Sequence, residues 1–271
     1  MSDLGVSITL GIIEGLTEFL PISSTGHLII AMPLLGVRED QQPWRLLMII
    51  CQLGAIASVL LYFWRDLWQR VFRPASGLLA DNIAVKLIVA MIPSVIVGLL
   101  FHEWIEKYLE NPPSVGLALI VGAFAIEFID RRYRRESEMT LDDVTLKQAF
   151  LVGLAQTLSI IWPGLSRAGC TILGGMFIGL SPVVAAEFSF MLAIPTMFAA
   201  GAKQLLKYRH DLTPDVVSIV LVGTAVAFVT ALLVVAGFMK FVQRQRFTVF
   251  SIYRVALGLT VLAWYFGSTH K

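Results

Sequence analysis

The stretch EGLTEFLPISSTGH, residues 14–27, places two glutamates, a run of hydroxyl residues and a histidine inside a strongly apolar region. Insertion scales put the cost of a charged side chain at the centre of a bilayer at about 2.5–3.5 kcal/mol. Such groups are therefore found where protein or water surrounds them rather than lipid. This stretch predicts a functional site within a membrane protein.

The composition around this stretch supports a membrane location. The chain has 271 residues, of which 57% are hydrophobic and 15% charged, whereas soluble domains carry about 25% charged residues. Its mean hydropathy is +0.78. The N-terminus lacks a basic region and a small-residue cleavage site, so we expect no removable signal peptide. The net charge of +2 comes from basic residues in short loops and does not favour nucleic acid as a partner.

The apolar runs predict six full transmembrane helices, each close to the ~20 residues that a bilayer core requires. They cover residues 44–63, 83–101, 114–130, 183–202, 216–237 and 249–266. Two further stretches, 4–35 and 148–180, are interrupted at Pro21 and at WPGLSRAG (162–169), and their arms are short. Short arms meeting at a polar turn indicate re-entrant hairpins. The predicted fold class is an all-α polytopic membrane protein with six transmembrane helices and two re-entrant helical hairpins.

The two interrupted stretches resemble each other. GIIEGLTEFLPISSTGH (11–27) and GLAQTLSIIWPGLSRAG (153–169) both start with glycine and have proline ten residues later. Glu14 corresponds to Gln156, and Ser23 and Gly26 correspond to Ser166 and Gly169 after a one-residue gap. Each stretch precedes three spans, so two such halves have opposite orientations in the membrane. The sequence predicts inverted repeats, residues 1–135 and 136–271, within a single integral-membrane domain.

The loop charges predict the orientation. Both termini fall on one face, and most basic residues, including Arg65, Arg70 and the RRYRR cluster (131–135), fall on the other. Basic loops favour the cytoplasm. We therefore expect both termini and the site to face away from the cytoplasm, and tryptophans 44, 64, 68 and 104 to lie at the membrane interfaces.

The polar residues of the two turns suit phosphate chemistry. Glu14 and Glu18, four residues apart, share a helix face and could hold a divalent cation, with Mg²⁺ favoured and Ca²⁺ as the alternative. Arg167 offers a planar fork to phosphate oxygens, and helix N-termini attract anions. Ser23 or Ser24 offers a nucleophilic hydroxyl, with His27 nearby as its base.

Three alternatives remain open at this point. The hydroxyl residues could be helix caps, and Glu18 with Arg167 could be a structural ion pair. Inverted repeats with broken helices are also typical of transporters, so a lipid-phosphate flippase or an anion transporter is the alternative function. A serine and histidine beside two carboxylates favour hydrolysis, because transport needs no nucleophile.

At these residues the sequence resembles the bacterial undecaprenyl-diphosphate phosphatases, the bacitracin-resistance family. EGLTEFLPISSTGH is similar to the first signature of that family, PGLSRAGCTI (163–172) to its second and AAEFSFMLAIP (185–195) to a third. The resemblance extends along the whole chain. It implies hydrolysis of the C55 carrier-lipid diphosphate to the monophosphate and inorganic phosphate, in a multi-pass protein of the bacterial inner membrane, with its site toward the periplasm.

The resemblance also implies roles for single residues. Glu14 and Glu18 would bind the metal, Ser24 would be the nucleophile, His27 the acid or base and Arg167 the phosphate clamp. Supporting phosphate contacts would come from the small and hydroxyl residues of the two turns, namely Ser23, Thr25, Gly26, Ser166, Gly169 and Thr171. Ala168 stands where the family usually has serine, so no chemistry is assigned there. Attack by serine or by water, and a monomer or a homodimer, are left open by the sequence.

Overall fold

The computed structural model describes residues 1–72, 81–109, 111–135, 137–211 and 213–269, and these are helical with short connections. Eleven α-helices lie in this part of the chain. They are α1 (Asp3–Thr17), α2 (Ser24–Leu34), α3 (Trp44–Tyr62), α4 (Trp64–Phe72), α5 (Ile83–Tyr108), α6 (Pro112–Tyr133), α7 (Leu146–Ile161), α8 (Arg167–Phe177), α9 (Pro182–Tyr208), α10 (Pro214–Val242) and α11 (Thr248–Thr269).

Six of the described helices are long and apolar enough to cross a membrane, and they are the six that the sequence predicts. Several extend beyond the predicted limits. Helix α9 continues to Tyr208 and α10 to Val242, because hydropathy marks the apolar part of a helix and not its polar end. Polar caps define several helix starts, as where the Thr145 hydroxyl accepts a hydrogen bond from Gln148 N at 3.2 Å.

The two interrupted stretches form helical hairpins, as predicted. Helix α1 packs against α2 and α7 packs against α8. At ~1.5 Å per residue the arms are about 16–24 Å long, shorter than the ~30 Å bilayer core. Pro21 and Pro163 lie in the turns, outside the helices. The polar turns therefore lie where the short arms end.

The hairpins exchange partners between the two halves. Helix α1 packs on α10 of the second half, and α7 packs on α5 of the first. The glycine that leads each motif permits this contact, because a Cβ on Gly11 would lie 2.4 Å from the carbonyl oxygen of Gly223, and one on Gly153 would lie 1.9 Å from that of Ala90. This reciprocal pairing is the arrangement that two repeats would produce. The inverted relation of residues 1–135 and 136–271 stays a prediction.

Buried aromatic and aliphatic side chains fill the space between the hairpins and the long helices. Phe19, next to the first turn, makes an edge contact with Phe190 of α9 at 5.6 Å between ring centroids, and both are fully buried. Large apolar side chains such as Leu233 are exposed on the outer faces, as expected for contact with lipid. Trp44 is buried and belongs to the same core cluster as Met32, so its ring does not face lipid, and its position at a membrane interface stays a prediction.

Candidate active site

The two turns share an unusual backbone conformation at serine. Ser23 has φ 69° and Ser166 has φ 73°, and among the described residues these are the non-glycine positions with positive φ. A left-handed conformation is costly for a residue with a Cβ and is enriched at functional sites. Each serine is the residue before a helix, so Ser24 is the first residue of α2 and Arg167 the first of α8. The structure thus places the predicted nucleophile and the predicted clamp at equivalent positions.

Ser24 donates its hydroxyl hydrogen to Glu18, with 2.7 Å between Oγ and Oε2. Glu18 follows α1 directly, and its backbone N–H donates to the carbonyl of Glu14 at 3.0 Å. Its carboxylate is buried, so water competes weakly for that hydrogen bond. The proton acceptor within reach of Ser24 is therefore a carboxylate.

Arg167 brings the second turn to the same carboxylate. Its Nη2 lies 3.3 Å from Oε1 of Glu18, and its Nη1 donates to the carbonyl of Ser189 in α9 at 3.2 Å. The guanidinium also lies over the ring of Phe19, 5.5 Å from the centroid. Its Nε is buried without a hydrogen-bond partner. One oxygen of Glu18 thus meets Ser24 and the other meets Arg167, and the two turns converge on this side chain.

His27 is oriented by contacts at both ring nitrogens. Nδ1 lies 2.7 Å from the carbonyl oxygen of Ser23, and Nε2 lies 2.7 Å from the hydroxyl of Tyr253 in α11. A carbonyl can only accept, so Nδ1 carries the hydrogen, and in the neutral ring Nε2 accepts from Tyr253. The two rings stack at 5.6 Å. His27 therefore supports the left-handed turn through Ser23 and is bonded to Tyr253, while the hydroxyl of Ser24 goes to Glu18.

Glu14 has the properties of an unsatisfied ligand. Its side chain is 1% exposed, and its Oε1 is buried without a hydrogen-bond partner. A buried carboxylate without a partner is costly unless a cation binds it. No group of three or more His, Cys, Asp or Glu that could hold a metal occurs in the described residues. The donor set thus fits a divalent cation that takes one or two carboxylates and its other ligands from a bound phosphate and water.

Comparison with known proteins identifies the family of this chain. Residues 7–260 match the family described as "Bacitracin resistance protein BacA". The chain belongs to this family. It is similar to the undecaprenyl-diphosphatases of Nitrosomonas europaea, 43% identical over 256 residues that cover 94% of this chain and 92% of the relative, and of Pseudomonas fluorescens, 43% identical over 262 residues, 96% and 94%. The undecaprenyl-diphosphatase of Clostridium tetani is 40% identical over 261 residues, 94% of each chain.

The smaller predicted residues of this BacA-family site have differing environments. Thr25 is half-buried beside Ser24. A Cβ on Gly26 would lie 2.9 Å from Leu119 of α6, so this glycine serves helix packing. Gly169 donates its N–H to the hydroxyl of Ser166 at 3.2 Å, which caps α8.

Two hydroxyl residues of the second hairpin form hydrogen bonds with segments outside that hairpin. The Ser166 hydroxyl lies 3.4 Å from the carbonyl of Leu20 in the first turn, so it also connects the hairpins. Thr171 is fully buried, and its hydroxyl lies 2.5 Å from that of Ser189, whose carbonyl binds Arg167. Thr171 therefore faces α9 in this structure, and its direct contact with phosphate stays a prediction.

Arg254 of α11 is a central residue that the sequence reasoning missed. It is fully buried and donates five hydrogen bonds of 3.0–3.1 Å to backbone carbonyls. The acceptors belong to the first turn, to the second turn and to α6, and they are Pro21, Gly164, Leu165, Ala118 and Leu119. One guanidinium therefore fixes both turns against each other. An arginine inside the apolar run 249–266 is the signal that could have identified it.

The neighbouring helix leaves room for this guanidinium. A Cβ on Gly122 of α6 would lie 2.0 Å from Nη2 of Arg254. Arg254 thus places a buried guanidinium beneath the turns, whereas the guanidinium of Arg167 pairs with Glu18 at the turns themselves.

Proposed function

We propose that this chain hydrolyses undecaprenyl diphosphate to undecaprenyl phosphate and inorganic phosphate, and so returns the carrier lipid for cell-wall synthesis. The observation that carries the proposal is the double contact of Glu18, with a serine hydroxyl on one oxygen and an arginine on the other. The proposed nucleophile, its proposed proton acceptor and the proposed phosphate clamp thereby lie within one cluster. The substrate in this proposal is taken from the names of the similar proteins, which are undecaprenyl-diphosphatases.

The terminal phosphate would bind between the first turns of α2 and α8. Backbone N–H groups at helix starts and a guanidinium fork both favour a phosphate group. The contact between Arg167 and Glu18 would weaken, and the guanidinium would bind phosphate oxygens instead. A dianionic phosphate offers it more negative charge than one carboxylate oxygen does. Thr25, Ser166 and Gly169 lie on the same two turns and would add polar contacts at the edge of this space.

In the chemical step, Oγ of Ser24 would attack the terminal phosphorus. A bond forms between Oγ and phosphorus, and the bond between that phosphorus and the bridging oxygen breaks, so that undecaprenyl phosphate leaves. The hydroxyl proton passes to Oε2 of Glu18, which lies 2.7 Å away. Water then attacks the phosphorus of the phosphoserine: a bond forms between the water oxygen and phosphorus, and the bond between phosphorus and Oγ breaks. Glu18 returns its proton to Oγ, and the inorganic phosphate leaves with the protons of the water. His27 keeps the turn in shape by its bond to the Ser23 carbonyl.

A divalent cation, with Mg²⁺ favoured, would be held by Glu14 and Glu18. When bound, such a cation neutralises charge on the phosphate oxygens during phosphoryl transfer. The unsatisfied Oε1 of Glu14 supports this assignment. A bound cation would explain why this carboxylate is buried although Oε1 has no hydrogen-bond partner in the protein.

The location follows from the substrate and the helices. The C55 tail stays in the lipid, and six apolar helices long enough to cross a bilayer support a location in the same membrane. Within the proposal this is the bacterial inner membrane, with the site toward the periplasm, because the basic loops between the spans favour the opposite, cytoplasmic side.

Phosphate release from undecaprenyl diphosphate by purified protein tests the proposal. We expect turnover by the wild type and loss of turnover in Ser24→Ala. Vesicles with a single protein orientation, given substrate from outside only, would report the side of the site. Movement of lipid across the membrane without phosphate release would support a transporter and contradict the proposal.

A further inference from the structure

Two surface depressions meet at the C-terminal end of α6, and neither belongs to the site described above. The first is a polar cavity of about 310 Å³ lined by Asp130, Arg131, Arg134, Gln243, Arg244 and Arg246. Its residues come from the end of α6 and from the connection between α10 and α11. Ala118, which contacts Arg254 beneath the turns, lies twelve residues earlier on α6, or about 18 Å at ~1.5 Å per residue. The cavity is thus remote from the turns.

The positive charge of this cavity exceeds what its acidic residue can neutralise. One oxygen of Asp130 accepts from Arg134 at 3.0 Å and the other from the backbone N–H of Phe247 at 3.1 Å. The side chain is 1% exposed, so it is fully used inside the protein. Arg244 and Arg246 are exposed and add charge that Asp130 does not balance. This excess of positive charge favours an anionic ligand.

The second depression is an open groove of about 530 Å³ that continues from the cavity along α6. It is lined by Phe124, Glu127, Phe128, Arg131 and Arg132, and it shares Arg131 with the cavity. Phe124 is 69% exposed and Phe128 is 61% exposed, and both belong to a helix that is apolar enough to cross the membrane. The groove therefore lies on the lipid-facing surface, one helical turn from the arginines.

We propose that the cavity and the groove together bind one anionic phospholipid. Arg131 is paired with Glu127 on the same helix, so the phosphate would lie against Arg244 and Arg246, with Arg131 at the edge. An acyl chain would lie along Phe124 and Phe128. A soluble phosphate would gain nothing from the aromatic groove, and an uncharged lipid would gain nothing from the arginines. Basic pockets between helices at a membrane surface are suited to acidic headgroups. This site does not depend on the proposed hydrolysis.

Native mass spectrometry of the full chain tests this inference. The protein would be taken from micelles containing equal amounts of phosphatidylglycerol and phosphatidylcholine. We expect the wild type to retain phosphatidylglycerol preferentially, and Arg244→Gln/Arg246→Gln to lower that preference by about fivefold for each removed charge. Arg244→Lys/Arg246→Lys should keep most of it.

The matched control is Arg65→Gln/Arg135→Gln, which removes two exposed charges outside the cavity and should leave the preference unchanged. Phe124→Ala should weaken retention, whereas Phe198→Ala, at a side chain that is 62% exposed elsewhere, should not. Equal loss in the control pairs would overturn the proposal, as would equal retention of the two lipids by the wild type. Full displacement by soluble glycerophosphoglycerol would show a site for free phosphate esters and overturn the assignment to a lipid.

Discussion

Ser24 and Arg167 contact opposite oxygens of the same carboxylate, that of Glu18, at 2.7 Å and 3.3 Å. Glu18 therefore holds the proposed nucleophile and the proposed phosphate clamp close together before any substrate arrives. A phosphate that binds Arg167 must compete with Glu18 for it. As that contact weakens, Oε1 of Glu18 loses its partner while Oε2 still accepts the hydrogen bond from Ser24. Binding of substrate and activation of the serine would thus be linked through one side chain.

Removal of the Ser24 hydroxyl should abolish turnover with little change in stability. We expect Ser24→Ala to lower kcat by about 10³-fold or more, as for other nucleophile deletions. Phosphate release measures this, and rapid acid quenching of the wild type with labelled substrate should trap a phosphoserine. Ser218→Ala, at an exposed hydroxyl of α10, is the control. Wild-type turnover by Ser24→Ala would assign the attack to water.

Loss of the Glu14 charge should increase the thermal stability of the protein and weaken its response to Mg²⁺. Because its Oε1 is buried without a partner, Glu14→Gln should raise the Tm while it raises the Mg²⁺ concentration needed for half-maximal activity by at least about tenfold. Chelator should stop the wild type, and added Mg²⁺ should restore it. Asp215→Asn, an acidic residue at the start of α10, should change neither quantity. An unaltered Mg²⁺ requirement in Glu14→Gln would remove this residue from the metal site.

Arg167 should be irreplaceable by lysine. Lysine keeps the charge but not the planar fork, so we expect Arg167→Lys to raise KM and to lower kcat/KM by about 100-fold. Arg167→Met should destabilise the protein by about 3–5 kcal/mol, because it leaves Glu18 buried with an unpaired charge. The double variant Arg167→Met/Glu18→Gln should recover much of that loss in chemical denaturation. Additive destabilisation in the double variant would show that the two side chains are not coupled.

Arg254 should matter as much as the residues that touch phosphate, although it serves to position them. Arg254→Met leaves five carbonyls without their donor, and we expect loss of at least about 3 kcal/mol of stability. Gly122→Ala is a milder test, since its methyl group would lie 2.0 Å from the guanidinium. It should lower kcat, while Gly237→Ala, with nothing within 4 Å, should be neutral. Equal activity of both alanine variants would contradict this role.

The contacts of the two ring nitrogens of His27 should contribute unequally to activity. If support of the Ser23 carbonyl through Nδ1 is its main role, His27→Ala should cost more activity than Tyr253→Phe, which removes only the partner of Nε2. We expect less than about tenfold loss for Tyr253→Phe, in line with one neutral hydrogen bond. Steady-state phosphate release on both variants measures the difference. Equal losses would indicate that His27 acts through its hydrogen bond to Tyr253 and not through its support of Ser23.

Much of this arrangement could be predicted from the sequence because the membrane restricts what a polar turn can do. Broken apolar runs indicated both hairpins, and the charges in them indicated the site. The partner of Ser24 could not be predicted in this way. Spacing suggested His27, but the chain reverses at Ser23 and turns the first residue of α2 back toward Glu18. Local spacing does not report such a reversal when a residue with positive φ causes it.

Contacts between distant segments were also beyond the sequence reasoning. The motif around Thr171 suggested a contact with phosphate, but its hydroxyl meets Ser189 of α9. The position of α9 depends on the packing of the whole protein, which a local motif does not report. Arg254 belongs to no motif near either turn, and its acceptors are backbone carbonyls, which carry no residue identity. A rule that treats every ionisable residue within a span as functional would have included it.

Arg254 lies in α11, which follows both turns in chain order, and this order has a consequence for biosynthesis. The ribosome makes both turns before it makes α11, so a nascent protein contains the proposed reacting groups before it contains the guanidinium that binds both turns. We expect a chain truncated after α10 to lack this connection and to be inactive toward the carrier lipid.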